Sequence, residues 1–191
     1  MSQGKYSLWV CPSKNTQAQD LLNKVISHFS KSLDAPYFQP HATLFSPIRA
    51  ESDDSALAQV RNYVVRLHAE LGADTLHIGI PVKAHKLATG DKFHQCIFLE
   101  EQGNAVLISA NAIARQHWNA EVQPIFYPHV SLVYGNYLKN KQDDIAAEIR
   151  VMLPSDIEQL SFFASEIHVV ETSGPSEGWR HIGSIPLTIQ A

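Results

Sequence analysis

One eight-residue phrase occurs twice in this chain and constrains its fold more than any other feature. Residues 37–44 read Tyr-Phe-Gln-Pro-His-Ala-Thr-Leu, and residues 125–132 read Ile-Phe-Tyr-Pro-His-Val-Ser-Leu. Both fit Phe-x-Pro-His-x-(Thr/Ser)-Leu, with the histidines at 41 and 129, 88 positions apart. In an extended strand, residues i and i+2 project from the same face. His41 and Thr43 then share one face, as do His129 and Ser131, while Ala42, Leu44, Val130 and Leu132 share the other. A polar face of this kind is costly to bury unless it meets water, a ligand or another polar group. Two such strands related by a pseudo-dyad can face each other across a cleft.

The 88-residue offset extends beyond the phrase. Tyr6–Cys11 reads as a short strand before Pro12, and its counterpart is His94–Leu99. Thr16 and Gln19 form a capping box before a helix carrying Leu22, Val25, Ile26, Phe29 and Leu33 at helical spacing. Asn104 stands at the equivalent place before Leu107, Ala110, Ile113, Ala114 and Trp118. After the first phrase, Ser52–Asp54 can cap a helix with Leu57, Val60, Val64, Leu67 and Leu71; after the second, Asn140–Asp144 precede Ile145, Ile149 and Leu153. Leu76, Ile78, Ile80 and Val82 alternate as in a half-buried strand. Their counterpart is Leu160–Val170, where a parity change near Ser165 predicts a bulge. A last strand is expected at Arg180–Ile189. Each half reads strand–helix–strand–helix–strand. The expected fold is α+β and internally duplicated, with two lobes that are each an antiparallel sheet with helices on its outer face, and an active-site cleft between them. With no linker-like or low-complexity stretch, residues 1–191 are expected to form a single compact domain.

Composition narrows the function. The formal net charge of −4 lacks the basic excess of a chain that tracks a long polynucleotide, yet leaves room for a small phosphate ligand. Two cysteines, Cys11 and Cys96, make neither a metal-type spacing nor a disulfide framework. The opening residues lack the cationic and long apolar regions of a secretion signal, and no run of about 18 apolar residues appears. A cytoplasmic protein with no membrane partner is the expectation, with a monomer as the default.

A single His-x-Thr in a strand is ordinary, and a lone strand histidine is more often packed or at the surface than catalytic. The repetition, with matching Phe and Pro at a matching offset, changes that reading. Two imidazoles with pKa values near ~6.5 can divide the roles of base and acid, and two hydroxyls can donate to non-bridging phosphate oxygens. This set suits phosphate-ester chemistry without a metal or other cofactor. Phe38 and Phe126 read as core, and Pro40 and Pro128 suit strand starts. Lys83, His85, Lys86 and Lys92 mark a hairpin that reads as solvated. His28, His68, His77, His117, His168 and His181 show no comparable pairing and are read as ordinary.

At these residues the chain resembles the two-histidine phosphoesterase superfamily, and within it the plant and fungal type of cyclic phosphodiesterase. The resemblance rests on Pro40-His41-Ala42-Thr43-Leu44-Phe45, Phe93-His94-Gln95-Cys96-Ile97-Phe98-Leu99, Pro128-His129-Val130-Ser131-Leu132-Val133-Tyr134-Gly135, and the opening Ser7-Leu8-Trp9-Val10. It implies metal-independent hydrolysis of nucleoside 2′,3′-cyclic phosphates to 2′-phosphates, and of ADP-ribose 1″,2″-cyclic phosphate to ADP-ribose 1″-phosphate. His41 and His129 are the implied catalytic pair; His129 is the candidate base and His41 the candidate acid, and the sequence leaves the opposite assignment open. Thr43, Ser131 and Tyr134 are implied phosphate contacts, and Trp9 and Phe93 implied base contacts. The implied partner is a small cyclic-phosphate nucleotide. An enzyme acting on RNA ends, of the 2′,5′-ligase-like branch, stays open. So do a non-catalytic nucleotide or RNA-end binding module and a metal hydrolase.

Overall fold

The computed structural model describes residues 3–120 and 125–188. Its strands are β1 (Gly4–Val10), β2 (Ala42–Ala50), β3 (Ile80–Val82), β4 (Ala84–Thr89), β5 (Ile97–Glu101), β6 (His129–Val133), β7 (Phe162–Ala164), β8 (Glu166–Glu171) and β9 (Arg180–Pro186). Its α-helices are α1 (Gln17–Ser32), α2 (Asp53–Leu71), α3 (Ala73–His77), α4 (Ala105–His117) and α5 (Lys139–Met152), with 3-10 turns at Phe93–Gln95, Ile157–Leu160 and Ser176–Gly178.

Helix starts follow local chemistry. The Thr16 hydroxyl accepts the Gln19 N–H, and Gln19 reaches back to accept the Asn15 N–H at 2.9 Å. Ser52 accepts from Ser55, and Asn104 from Val106 and Leu107. These side chains satisfy amides that the first turn leaves without intrahelical partners, each contributing about 1 kcal/mol. Helix α5 begins at Lys139, so Asn140–Asp144 lie inside its first turns, and Leu138 caps it without a side-chain hydrogen bond. Leu76 departs from expectation. It belongs to α3, and the strand is only Ile80–Val82, because Gly79 at φ +97° turns the chain against the Ala164 carbonyl. His94 lies in a 3-10 turn ahead of β5 rather than on it. The last strand ends at Pro186, and the expected terminus at Ile189 lies outside the described residues.

The strands form a seven-stranded antiparallel sheet, β4-β5-β6-β2-β1-β8-β9, and a two-stranded sheet, β3-β7. The two expected sheets are thus halves of one, joined at the motif strands by the single pair Ala42↔Val130. The lobes also differ from the sequence halves. Strand β4 closes the first half but pairs with β5, which opens the second; β8 closes the second half and pairs with β1, which opens the first. Helices cross over as well: α1 packs on β6 and α4 on β2. The parity change at Ser165 marks a change of sheet, since β7 pairs with β3 whereas β8 pairs with β1.

This exchange interlocks the halves around a largest buried cluster running from Tyr6 to Leu187. Ala42 and Leu44 are wholly buried in it, which turns His41 and Thr43 to the opposite face. Burying a side chain such as Leu44 stabilises the fold by roughly 1.5–3 kcal/mol. The Asn111 amide of α4 donates to the Leu44 carbonyl at 2.7 Å, holding the first motif strand to a helix of the other half.

Candidate active site

Both motifs deliver their polar residues to one hollow of about 440 Å³, lined by His41, Thr43, His129, Ser131 and Tyr134. Trp9, Lys92, His94, Gln95 and Trp179 complete much of its wall. The duplication persists at the level of single protons. His41 Nδ1–H donates to the Gln39 carbonyl at 2.6 Å, and His129 Nδ1–H donates to the Tyr127 carbonyl at 2.8 Å. In both motifs the acceptor is the residue two before the histidine. A carbonyl can only accept, so each neutral ring carries its proton on Nδ1 and keeps the Nε2 lone pair for chemistry.

The surroundings of the two rings differ. His41 is 5% exposed and lies under Trp9, with ring centroids 3.6 Å apart and planes 8° from parallel. The Trp9 indole N–H donates to the buried Ser7 hydroxyl at 3.0 Å, which sets the plane of that stack. His129 is partly exposed and meets the edge of Phe98, with the Gln95 amide 3.3 Å from its Nδ1. Burial pushes the His41 pKa down to about 3, against the upward pull of the Gln39 carbonyl and with added repulsion from His129, His168 and His94. Burial also lowers His129, again opposed by its backbone carbonyl, with Lys92 adding to the depression. In the empty cleft both imidazoles are therefore neutral near pH 7, rather than sharing one proton as the unperturbed values imply.

The two hydroxyls are also unequal. Ser131 Oγ donates to the His94 carbonyl at 2.6 Å, which occupies its one proton. Thr43 makes no side-chain hydrogen bond among the described residues. Tyr134 is 3% exposed and stacks on Phe38 at 3.7 Å, joining the aromatic residue of the first motif to the tyrosine after the second. Burial raises its pKa, so the phenol stays protonated. Phe126 sits partly buried against the core.

Among the expected base contacts, Trp9 lines the hollow with one face covered by His41, whereas Phe93 packs behind it with Ile26, Phe38 and Tyr134. Of the hairpin cations, Lys92 reaches the hollow, and Lys86 pairs with Glu100 at 3.0 Å. Sequence reasoning did not assign His94, Gln95 or Trp179 to the site, because none of them belongs to the repeated His-x-(Thr/Ser) phrase. It also read His168 as ordinary. This residue is the register partner of Trp9 on the neighbouring strand β8, bonds Glu166 at 3.1 Å, leaves its buried Nδ1 without a hydrogen-bond partner among the described residues, and bears on His41. Only the strand pairing reveals that proximity. Among the described residues no group of three His, Cys, Asp or Glu side chains converges to hold a metal.

A sheet whose two central strands each offer His-x-(Thr/Ser) to one hollow is the architecture of a two-histidine phosphoesterase. The chain belongs to the cyclic phosphodiesterase family within that class: residues 4–187 match the family model described as "Cyclic phosphodiesterase-like protein". It is 23% identical over 167 residues to the cyclic phosphodiesterase of Arabidopsis thaliana, covering 87% of this chain and 84% of that protein. It is 24% identical over 155 residues to the 2′,3′-cyclic-nucleotide 3′-phosphodiesterase of Saccharomyces cerevisiae, covering 68% of this chain and 64% of that one. The fold is similar to Escherichia coli LigT in apo form, with a TM-score of 0.58 at 11% identity, covering 99% of this chain and all of that one. No helix among the described residues is long and apolar enough to cross a membrane.

Proposed function

We propose that this cyclic phosphodiesterase opens nucleoside 2′,3′-cyclic phosphates to 2′-phosphates, with His129 as base and His41 as acid. The carrying observation is the pair of imidazoles in one hollow, each with Nδ1 tied to the carbonyl two residues before it. His129, the more exposed ring, takes a proton from water at Nε2 as the water oxygen bonds to phosphorus. The P–O3′ bond breaks and O3′ takes the proton from His41 Nε2. The parallel Trp9 face and the Gln39 carbonyl both favour an imidazolium at His41. The anionic phosphate supplies the remaining stabilisation, so His41 gains its proton as substrate binds. Thr43 donates to a non-bridging oxygen, and the Tyr134 phenol faces the same phosphate. ADP-ribose 1″,2″-cyclic phosphate presents the same five-membered cyclic ester and is a second expected substrate.

The test is turnover of 2′,3′-cyclic AMP in excess chelator, with the product read by phosphorus NMR. Adenosine 2′-phosphate is expected at an unchanged rate. Loss of activity on chelation overturns the mechanism, and a 3′-phosphate product overturns the substrate orientation. A substrate with sulfur in place of O3′ assigns the roles: its thiolate leaves without an acid, so His41→Ala is rescued and His129→Ala is not.

One further observation favours substrates longer than a mononucleotide. Beyond Thr43 and His129 the hollow adjoins a second, of about 350 Å³, lined by Asn111, Arg115, Phe126 and Tyr127. An RNA end has a chain to place there. A short RNA ending in a 2′,3′-cyclic phosphate should then show a lower KM than the mononucleotide.

A further inference from the structure

The rim of the hollow holds an aromatic contact between opposite sides of the cleft. His94 belongs to the 3-10 turn ahead of β5, and Trp179 to the loop between β8 and β9. Their rings lie 5.3 Å apart and 24° from parallel, in the geometry of an offset stack. Among the described residues no strand pairing joins these two segments, since β5 and β8 lie on either side of the motif strands.

Both partners are held at their bases. The 93–95 turn is fixed to the second motif strand and its continuation: Gly135 N–H donates to the Phe93 carbonyl at 3.0 Å, Ser131 to the His94 carbonyl, and Gln95 lies against His129. On the other side, the Trp179 indole N–H donates to the Gly174 carbonyl at 3.2 Å, and Arg180 pairs with Asp53 at 2.8 Å. The backbone on each side is registered to the site, while the His94 side chain itself remains exposed.

The other aromatic faces along the hollow are already engaged. His41 covers Trp9, and Phe38 covers Tyr134. Trp179 meets Trp9 and Tyr134 only at steep angles, 59° and 69°, and the ring stacked on its face is the exposed one of His94, which a ligand can displace without uncovering the core. Resting on the proposed hydrolysis of nucleoside cyclic phosphates, we infer that Trp179 is the nucleobase platform and that His94 is its latch. The base takes the place of His94 against the indole while the ribose phosphate lies between His41 and His129. Stacking requires only a π-face, so every base is accepted, and purines, with the larger face, are preferred.

The experiment compares wild-type, Trp179→Leu and Trp179→Phe proteins on the four nucleoside 2′,3′-cyclic phosphates and on methyl riboside 2,3-cyclic phosphate, which has no base. A base–aromatic stack corresponds to roughly 5- to 150-fold in affinity. Trp179→Leu should raise KM for 2′,3′-cyclic AMP within that range, leave kcat nearly unchanged, and erase the preference for purines. Trp179→Phe should retain most of the binding. The riboside should be turned over equally by all three proteins, which also shows that each is folded. A Trp179→Leu protein whose KM for 2′,3′-cyclic AMP stays within about twofold of wild type overturns the platform. A KM raised equally for the riboside overturns it too, since the effect then lies at the phosphate. Calorimetric binding of adenosine 2′-phosphate and of methyl riboside 2-phosphate separates the two readings. If no protein hydrolyses any cyclic phosphate, the proposed reaction fails, while a loss confined to the adenosine ligand in Trp179→Leu still upholds the platform.

Discussion

Occupying the cleft with a phosphate should move a proton onto His41, and the size of the effect can be worked from its surroundings. Burial holds His41 at about 3 in the empty site. Protonating it at pH 7 therefore costs about 5 kcal/mol, at 1.36 kcal/mol per pH unit. A unit negative charge about 4 Å away returns roughly 4 kcal/mol at an effective dielectric of 20. The parallel Trp9 face adds about 0.5–2 kcal/mol for a cation. These contributions nearly cancel the cost, so the occupied site should titrate close to neutrality. The assay is nitrogen-15 NMR of histidine-labelled protein, titrated with and without saturating adenosine 2′-phosphate. The empty site should show His41 neutral, with its proton on Nδ1, at every pH above 5. The filled site should show a His41 titration several pH units higher, and binding at pH 7 should take up roughly half a proton at His41 in calorimetry. A His41 that titrates near 6.5 in the empty cleft refutes the burial reasoning. One that stays neutral at pH 6 with phosphate bound refutes its role as the acid.

His41→Ala and His129→Ala should each lower turnover of a 2′,3′-cyclic nucleotide by ~10²–10⁴-fold in steady-state kinetics; a folded variant with wild-type turnover would end the two-histidine mechanism. Thr43→Val should cost more in kcat than Ser131→Ala, because the Ser131 proton already serves the His94 carbonyl; Ser131→Ala should act mainly on KM, by loosening the 93–95 turn. Both free-site imidazoles lie below the usual histidine value, so kcat/KM should be bell-shaped with its optimum on the acid side of ~6.5. The same depression bears on stability. The unfolded chain binds a proton at His41 first as pH falls through ~6.5, so that contribution is intact above ~6.5 and is lost progressively down to about 3. By pH 5 the loss is about 2 kcal/mol, and urea melts of His41→Asn should be correspondingly flatter between pH 7 and 5. Asn111→Leu leaves the Leu44 carbonyl without its helix donor and should cost about 1–3 kcal/mol, read as a lowered melting temperature.

Much of the site was legible along the chain because its signals are local. The His41–Thr43 and His129–Ser131 spacings specify a shared face whatever the rest of the fold does. The Thr16, Ser52 and Asn104 caps act within three residues. Leu22, Val25, Ile26 and Phe29 reveal a helix by period alone. The 88-residue offset announced the duplication, and with it two imidazoles for one hollow. What the chain did not reveal is which strands and rings become neighbours across large separations. Strand β4 pairs outside its own half, as β8 does, and no local spacing records that choice; it is made by joint burial of both halves in one core. His94 meets Trp179, His168 comes to bear on His41, and Ser131 is tied to the His94 carbonyl for the same reason. Each depends on strand pairing whose partners lie tens of residues away, and the shifts of both histidines depend on burial that only those partners create.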